Sequence, residues 1–122
     1  MKRDLNLFRN ILIFIEKNSE PGVSYPIINY FNELNSDYKT LYEHIKLMIE
    51  AGLLSGSNSN VRITNYGYDL LENIRNDKVW ENTNKEIKKQ KIPQTIENIF
   101  KIAGSLGGTA ERSIGLSTVE RK

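Results

Sequence analysis

A chain of 122 residues is the size of one core with a short appendage, and it is long enough to bury roughly two thirds of its unfolded surface without a metal or a crosslink. It has no cysteine, which removes disulfide scaffolds, cysteine-based zinc sites and thiol catalysis and suits a reducing cytoplasm. The net charge of +2 is unevenly spread: residues 1–75 carry 8 basic and 9 acidic side chains, residues 76–122 carry 9 and 6, so the basic excess lies in the C-terminal third.

The first helix is expected from Asp4 to Asn18, ahead of the breaker Glu20-Pro21-Gly22. Its run "ILIFI" is too short to span a bilayer, so no membrane association is expected and the cytoplasm is the expected location. Leu5, Leu7, Phe8, Ile11, Leu12, Phe14 and Ile15 cover about half of the helix circumference, wider than the roughly 100° stripe of a helix resting on one core. A second side therefore needs cover, from the C-terminal helix or from a partner subunit. Residues 23–35, "VSYPIINYFNELN", read as a short helix with Pro26 in its first turn, although the β-branched and aromatic content also allows a short strand near Val23.

The next helix is expected over Asp37–Ala51. Ser36 is its cap, Leu41, Ile45, Met48 and Ile49 its buried face, and Gly52 its left-handed terminator. Leu53-Leu54 and Val61-Arg62-Ile63 then form two short strands around the turn-rich loop Ser55–Asn60. Thr64 caps a further helix to about Arg75, in which Gly67 lets the first turn lie close against the hairpin.

From Asp77 the apolar positions narrow to Val79, Trp80, Thr83 and Ile87, and Lys85, Lys88, Lys89 and Lys91 crowd the helix end, where they suit the macrodipole. Ile92-Pro93 breaks this helix. Thr95–Leu106 makes the last one, with Ile96, Ile99, Phe100 and Ala103 on one face and Gly107-Gly108 at its end. The tail 107–122 has little periodicity and reads as flexible.

The order helix, short helix, helix, hairpin, helix is that of a winged helix-turn-helix. The expected fold is thus mainly α with a small β-hairpin: a winged-helix domain over 1–75 and a C-terminal helical extension over 76–106. The segments "EHIKLMIEAGLL" and "ITNYGYDLLENIRNDKVW", with the start Met1-Lys2-Arg3-Asp4-Leu5, resemble the bacterial and phage family called domain of unknown function 2513. That resemblance spans roughly residues 1–106 and implies a winged-helix fold and a frequent association with prophage genes; it implies no biochemical activity, and fold alone does not supply one.

Chemistry is sparse. His44, the one histidine, has Thr40 and Met48 at i±4 and no catalytic or metal partner among its helical neighbours, so it reads as structural or surface-binding. Gly104, Gly107 and Gly108 follow a helix and lack the lysine of a phosphate loop, so they read as a helix stop. No enzymatic activity, metal or cofactor is expected.

Double-stranded DNA is the first expected partner. In a winged helix the third helix enters the major groove and the wing meets the backbone or minor groove. Here that helix presents Ser36, Tyr38, Lys39, Thr40, Glu43 and Lys46, and the wing presents Asn58, Asn60 and Arg62; Glu43 could read cytosine. Against this, Asp37, Glu43 and Glu50 outweigh Lys39 and Lys46, which weakens the phosphate contribution to affinity. The alternative is a protein-interaction module, dimeric or docked on a host or phage protein through Leu7, Phe14, Trp80, Ile96 and Phe100.

Overall fold

The computed structural model describes residues 3–108. These form five α-helices and one two-stranded antiparallel sheet, and the chain divides into two compact units, one up to Leu71 and one from Glu72 onward.

In the first unit, α1 runs Leu5–Asn18. It begins at Asp4, whose carboxylate accepts the backbone N–H groups of Asn6 and Leu7 at 3.0 and 3.3 Å, because the first turn of any helix leaves donors without intrahelical acceptors. Its buried face comprises Leu5, Leu7, Phe8, Ile11, Leu12 and Ile15. The ambiguous segment 23–35 adopts both of its expected forms in succession. Tyr25 pairs with Val61 through two backbone hydrogen bonds of 2.7 and 3.0 Å, adding an isolated bridge to the sheet. Pro26 then leads into a 3-10 turn, Ile27–Tyr30, that buries Ile27 and Ile28.

Helix α2, Tyr38–Glu50, is capped by Asp37 and not by Ser36. The Asp37 backbone is extended and its carboxylate accepts the Thr40 N–H at 2.7 Å; the Ser36 hydroxyl instead donates to the Asp37 carbonyl at 3.2 Å. An acidic oxygen is the better acceptor at the positive end of a helix dipole, and Asp37 stands where its side chain reaches the third helical N–H. Gly52, at φ +84°, ends the helix in the left-handed conformation that glycine tolerates best.

Strands β1, Leu54–Gly56, and β2, Val61–Ile63, pair in the register Leu54 to Ile63, Ser55 to Arg62 and Gly56 to Val61. The hairpin starts one residue later than expected and its loop is shorter. Val61 and Ile63 are buried while Arg62 between them is exposed, the alternation a strand imposes. Helix α3, Asn65–Ile74, starts at Thr64, whose hydroxyl accepts the Gly67 N–H at 3.0 Å and donates to the Gly52 carbonyl. A Cβ on Gly67 would overlap the Leu53 carbonyl oxygen and the Ile63 side chain, which is why that turn needs glycine.

The second side of α1 is covered by the segment that follows it. Phe14 packs against Tyr25 and Tyr30, with ring centroids 6.3 and 5.4 Å away, and Leu7 lines a groove together with Asn32, Leu34 and Asn35. Leu7 is only 5% exposed; it is core, not a partner surface, because residues 25–35 fold back along the helix.

In the second unit, α4 runs Asp77–Gln90 and α5 runs Ile96–Ala103, and the two helices pack on each other. Asn76 caps α4 by accepting the N–H groups of Lys78 and Val79 at 2.8 and 3.1 Å, and Thr95 caps α5 by accepting the Asn98 N–H at 3.1 Å. Lys91, at φ +57°, terminates α4 two residues ahead of Pro93. Trp80, Thr83 and Ile87 are the buried residues of α4, so Trp80 also belongs to the interior. Helix α5 ends at Ala103, earlier than expected, and passes into a wide π-type turn, Gly104–Gly108. The expectation of a flexible tail falls, beyond that turn, outside the described residues.

Candidate nucleic-acid interface

Helix α2 carries two different polar faces, and the residues expected to work together are divided between them. Ser36 and Thr40 line a polar groove of about 650 Å³ with Asp4, Asn10, Asn32 and Asp37. Glu43 and Lys46 instead line a second groove of about 470 Å³, with Arg3, Tyr42, Leu47 and Glu50. Tyr38 and Lys39 occupy the first turn of α2 and are exposed.

An aromatic ladder runs along α2. Phe31 meets Tyr38 edge-on at 6.2 Å, and Tyr38 lies nearly parallel to Tyr42 at 6.3 Å with 17° between the rings. The Tyr42 hydroxyl accepts a hydrogen bond from Asn58 Nδ2 at 2.9 Å. This contact ties the hairpin loop to the middle of the helix, so helix and hairpin offer one continuous surface. Phe31 and Tyr42 were absent from the residues expected to bind. The i, i+4 spacing of Tyr38 and Tyr42 on one helix was a readable signal for the second; nothing local marks Phe31.

Asn60 and Arg62 are exposed on the hairpin. The Asn60 N–H donates to the Ser57 hydroxyl at 3.3 Å, and its carbonyl accepts the Ser57 N–H at 3.0 Å, so Asn60 closes the turn. Gly56, at φ +128°, lies so close to the Asn60 carbonyl that a side chain would overlap it. In the second unit, Ile96 and Phe100 are half-buried on α5.

His44 is fully buried and bonded at both ring nitrogens. The Asp4 N–H donates to Nε2 at 2.9 Å, which requires the other nitrogen to carry the proton; Nδ1 donates it to the Thr40 carbonyl at 2.8 Å. Phe8 packs edge-on at 5.1 Å. The histidine thus joins the start of α1 to α2, and its burial selects the structural over the surface-binding role among those expected.

Asp37 and Tyr25 are shifted from their ordinary values by their surroundings. The backbone N–H of Thr40 holds the exposed Asp37 carboxyl below the usual range, with Lys39 adding a smaller pull. A hydrogen bond to Tyr30, reinforced by desolvation, pushes the Tyr25 phenol up, and the two rings stack at 5.3 Å.

These features define a mainly helical protein with a two-stranded hairpin clasped to one aromatic-faced helix. The chain belongs to the family described as Hypothetical protein (DUF2513), whose family model matches residues 2–93. It is 31% identical over 115 residues to an uncharacterized protein of Haemophilus influenzae Rd, an alignment covering 87% of this chain and 95% of that one. No solved structure matches it, and no helix among the described residues is long and apolar enough to cross a membrane.

Proposed function

We propose that the N-terminal unit is a winged helix-turn-helix that binds double-stranded DNA, as a small cytoplasmic, non-enzymatic transcription regulator of prophage type that acts as a dimer. The observation that carries this reading is the hydrogen bond from Asn58 to Tyr42, which holds a hairpin loop beside the exposed first turns of α2, the arrangement in which a recognition helix enters the major groove and a wing follows the backbone. The bridge from Tyr25 to Val61 supports it, since it adds a third extended segment to the hairpin. In this reading Tyr38, Tyr42, Glu43 and Lys46 face the bases, and Lys39, Asn58, Asn60 and Arg62 approach phosphates. His44 supplies no acid-base chemistry, because both of its nitrogens are committed to backbone partners.

A second reading, a platform that docks a host or phage protein, draws on two observations. Within Tyr38–Glu50, Glu43 and Glu50 balance Lys39 and Lys46, and phosphate neutralisation supplies most nonspecific DNA affinity. Ile96 and Phe100 also leave part of the α5 apolar face open to solvent.

Fluorescence anisotropy against random and native-locus duplexes, titrated across salt, decides between them. Under the DNA reading, affinity falls by about 0.9 log units per phosphate contact for each tenfold rise in salt, and Lys39→Ala or Arg62→Ala each lowers that slope by about one contact. Phe100→Ala leaves it unchanged. Absence of binding at low salt, or sensitivity to Phe100 alone, would turn the assignment to protein docking.

A further inference from the structure

We propose that Tyr38 reads the 5-methyl group of thymine, so that the DNA held by α2 is selected for a thymine at the contact made by the first turn of the helix. This rests on the DNA reading above and specifies its base preference.

Among the described residues only Val23, Tyr38 and Tyr66 are large apolar or aromatic side chains left exposed, and Tyr38 is the most open of the three at 55%. It is open but not loose. Phe31 supports its ring edge-on, Tyr42 lies parallel to it, and Tyr42 is itself held by Asn58. A ring fixed from two sides before binding loses little rotamer freedom on contact, so its apolar surface converts efficiently into affinity.

Position and charge point the same way. Tyr38 is the first residue of α2, and in helix-turn-helix docking the N-terminal residues of the recognition helix are those that meet base edges. Arg3 and Lys46 line a groove with Tyr42 and Lys39 follows Tyr38 in the helix, yet Glu43 and Glu50 share that groove and Asp37 caps the helix, so phosphate attraction is weak and base contacts must carry more of the binding. In the major groove the thymine methyl is the apolar group a base pair displays, and aromatic or aliphatic side chains are its partners. The exposed Tyr38 ring matches that group and matches none of the hydrogen-bonding edges through its faces.

The test compares a random-sequence duplex pool, enriched on the wild-type protein, prepared once with thymine and once with deoxyuridine at every thymine position. Only methyl groups differ between the two. Wild-type protein is expected to bind the uridine pool about fourfold more weakly, the worth of one buried methyl. Tyr38→Phe keeps that difference, whereas Tyr38→Ala binds both pools equally while retaining the wild-type circular dichroism spectrum and melting temperature. Equal affinity of the wild type for both pools overturns the inference while leaving DNA binding in place, as does discrimination that survives in Tyr38→Ala. Failure of the wild type to bind either pool removes the DNA reading and this inference with it. Tighter binding of the same pool made single-stranded, without loss on uridine, also overturns it and assigns the ring to base stacking.

Discussion

Asn58 and Tyr42 are 16 residues apart in sequence and joined by a 2.9 Å hydrogen bond, which makes the hairpin loop a rigid neighbour of α2. Within the loop, Ser57 and Asn60 close the turn on each other and the Ser57 and Ser59 hydroxyls lie 3.2 Å apart; the Asn58 bond is what ties the loop to the helix. Tyr42→Phe keeps the ring and its packing on Tyr38 but removes the acceptor. It is expected to cost about 0.5–1.5 kcal/mol in urea denaturation, the net worth of one hydrogen bond. Under the DNA reading it weakens binding to duplexes more than that stability loss implies, since the loop loses its set position; anisotropy on the same protein checks this.

Gly67→Ala is expected to destabilise the N-terminal unit by about 1–3 kcal/mol, the usual penalty of an overpacked core. The added methyl would overlap the Leu53 carbonyl oxygen, and backbone cannot step aside as a flexible side chain can. Chemical denaturation followed by circular dichroism measures the loss. A neutral result would show that the α3 N-terminus sits further from the hairpin than the Thr64 bonds require.

At His44, substitution by Phe preserves much of the buried volume and removes both hydrogen bonds. The Asp4 N–H and the Thr40 carbonyl lose their partners, and about 1–3 kcal/mol of stability goes with them. His44→Ala adds a cavity and is expected to cost more, about 2–5 kcal/mol. Near-wild-type stability of either variant in urea would contradict the role of this side chain as the joint between α1 and α2.

The Asp37 cap makes a pH-dependent contribution whose sign follows from its lowered titration. The folded state holds the carboxyl below its ordinary value of 3.8, so the ionised form favours the fold; this stability is present above that value and is lost as pH falls through the folded-state range. Melting temperatures of wild type and Asp37→Asn, compared from neutral to acidic pH, should differ at neutrality and converge in acid. A gap that is constant with pH would mean that the charge of the cap contributes nothing.

Local signals made most of the elements legible. A glycine after Ala51, a threonine before Asn65 and the alternation at Val61-Arg62-Ile63 each act within a few residues, and each element they mark is present. The misreadings were also local in origin. Ser36 and Asp37 are both good caps, and the backbone position of Asp37, with its charge at the positive end of the helix dipole, decided which side chain met the Thr40 N–H. Lys91 ended α4 by adopting a left-handed conformation that no sequence rule assigns to lysine. In residues 23–35, strand and helix signals overlapped because the segment uses both, a bridge at Tyr25 and a turn at Ile27.

The candidate interface was less legible. Tyr38, Lys39, Glu43 and Lys46 follow helical spacing and were expected together, but Thr40 turned toward the polar groove and Phe31 joined from another segment. Leu7 is expected on a partner surface because α1 is apolar over half its circumference, and residues 25–35 cover that side instead.

By itself, then, the sequence of this protein determined where helices start and stop, where the hairpin lies and that the chain belongs with its family, because propensity, capping and strand alternation act over a few residues. Only the tertiary structure decided which face of α1 the segment 25–35 covers, and that Phe31, Tyr38, Tyr42 and Asn58 form one surface. Those outcomes depend on contacts between residues far apart in the chain, whose geometry is set by the packing of the whole unit and not by the period of any one segment.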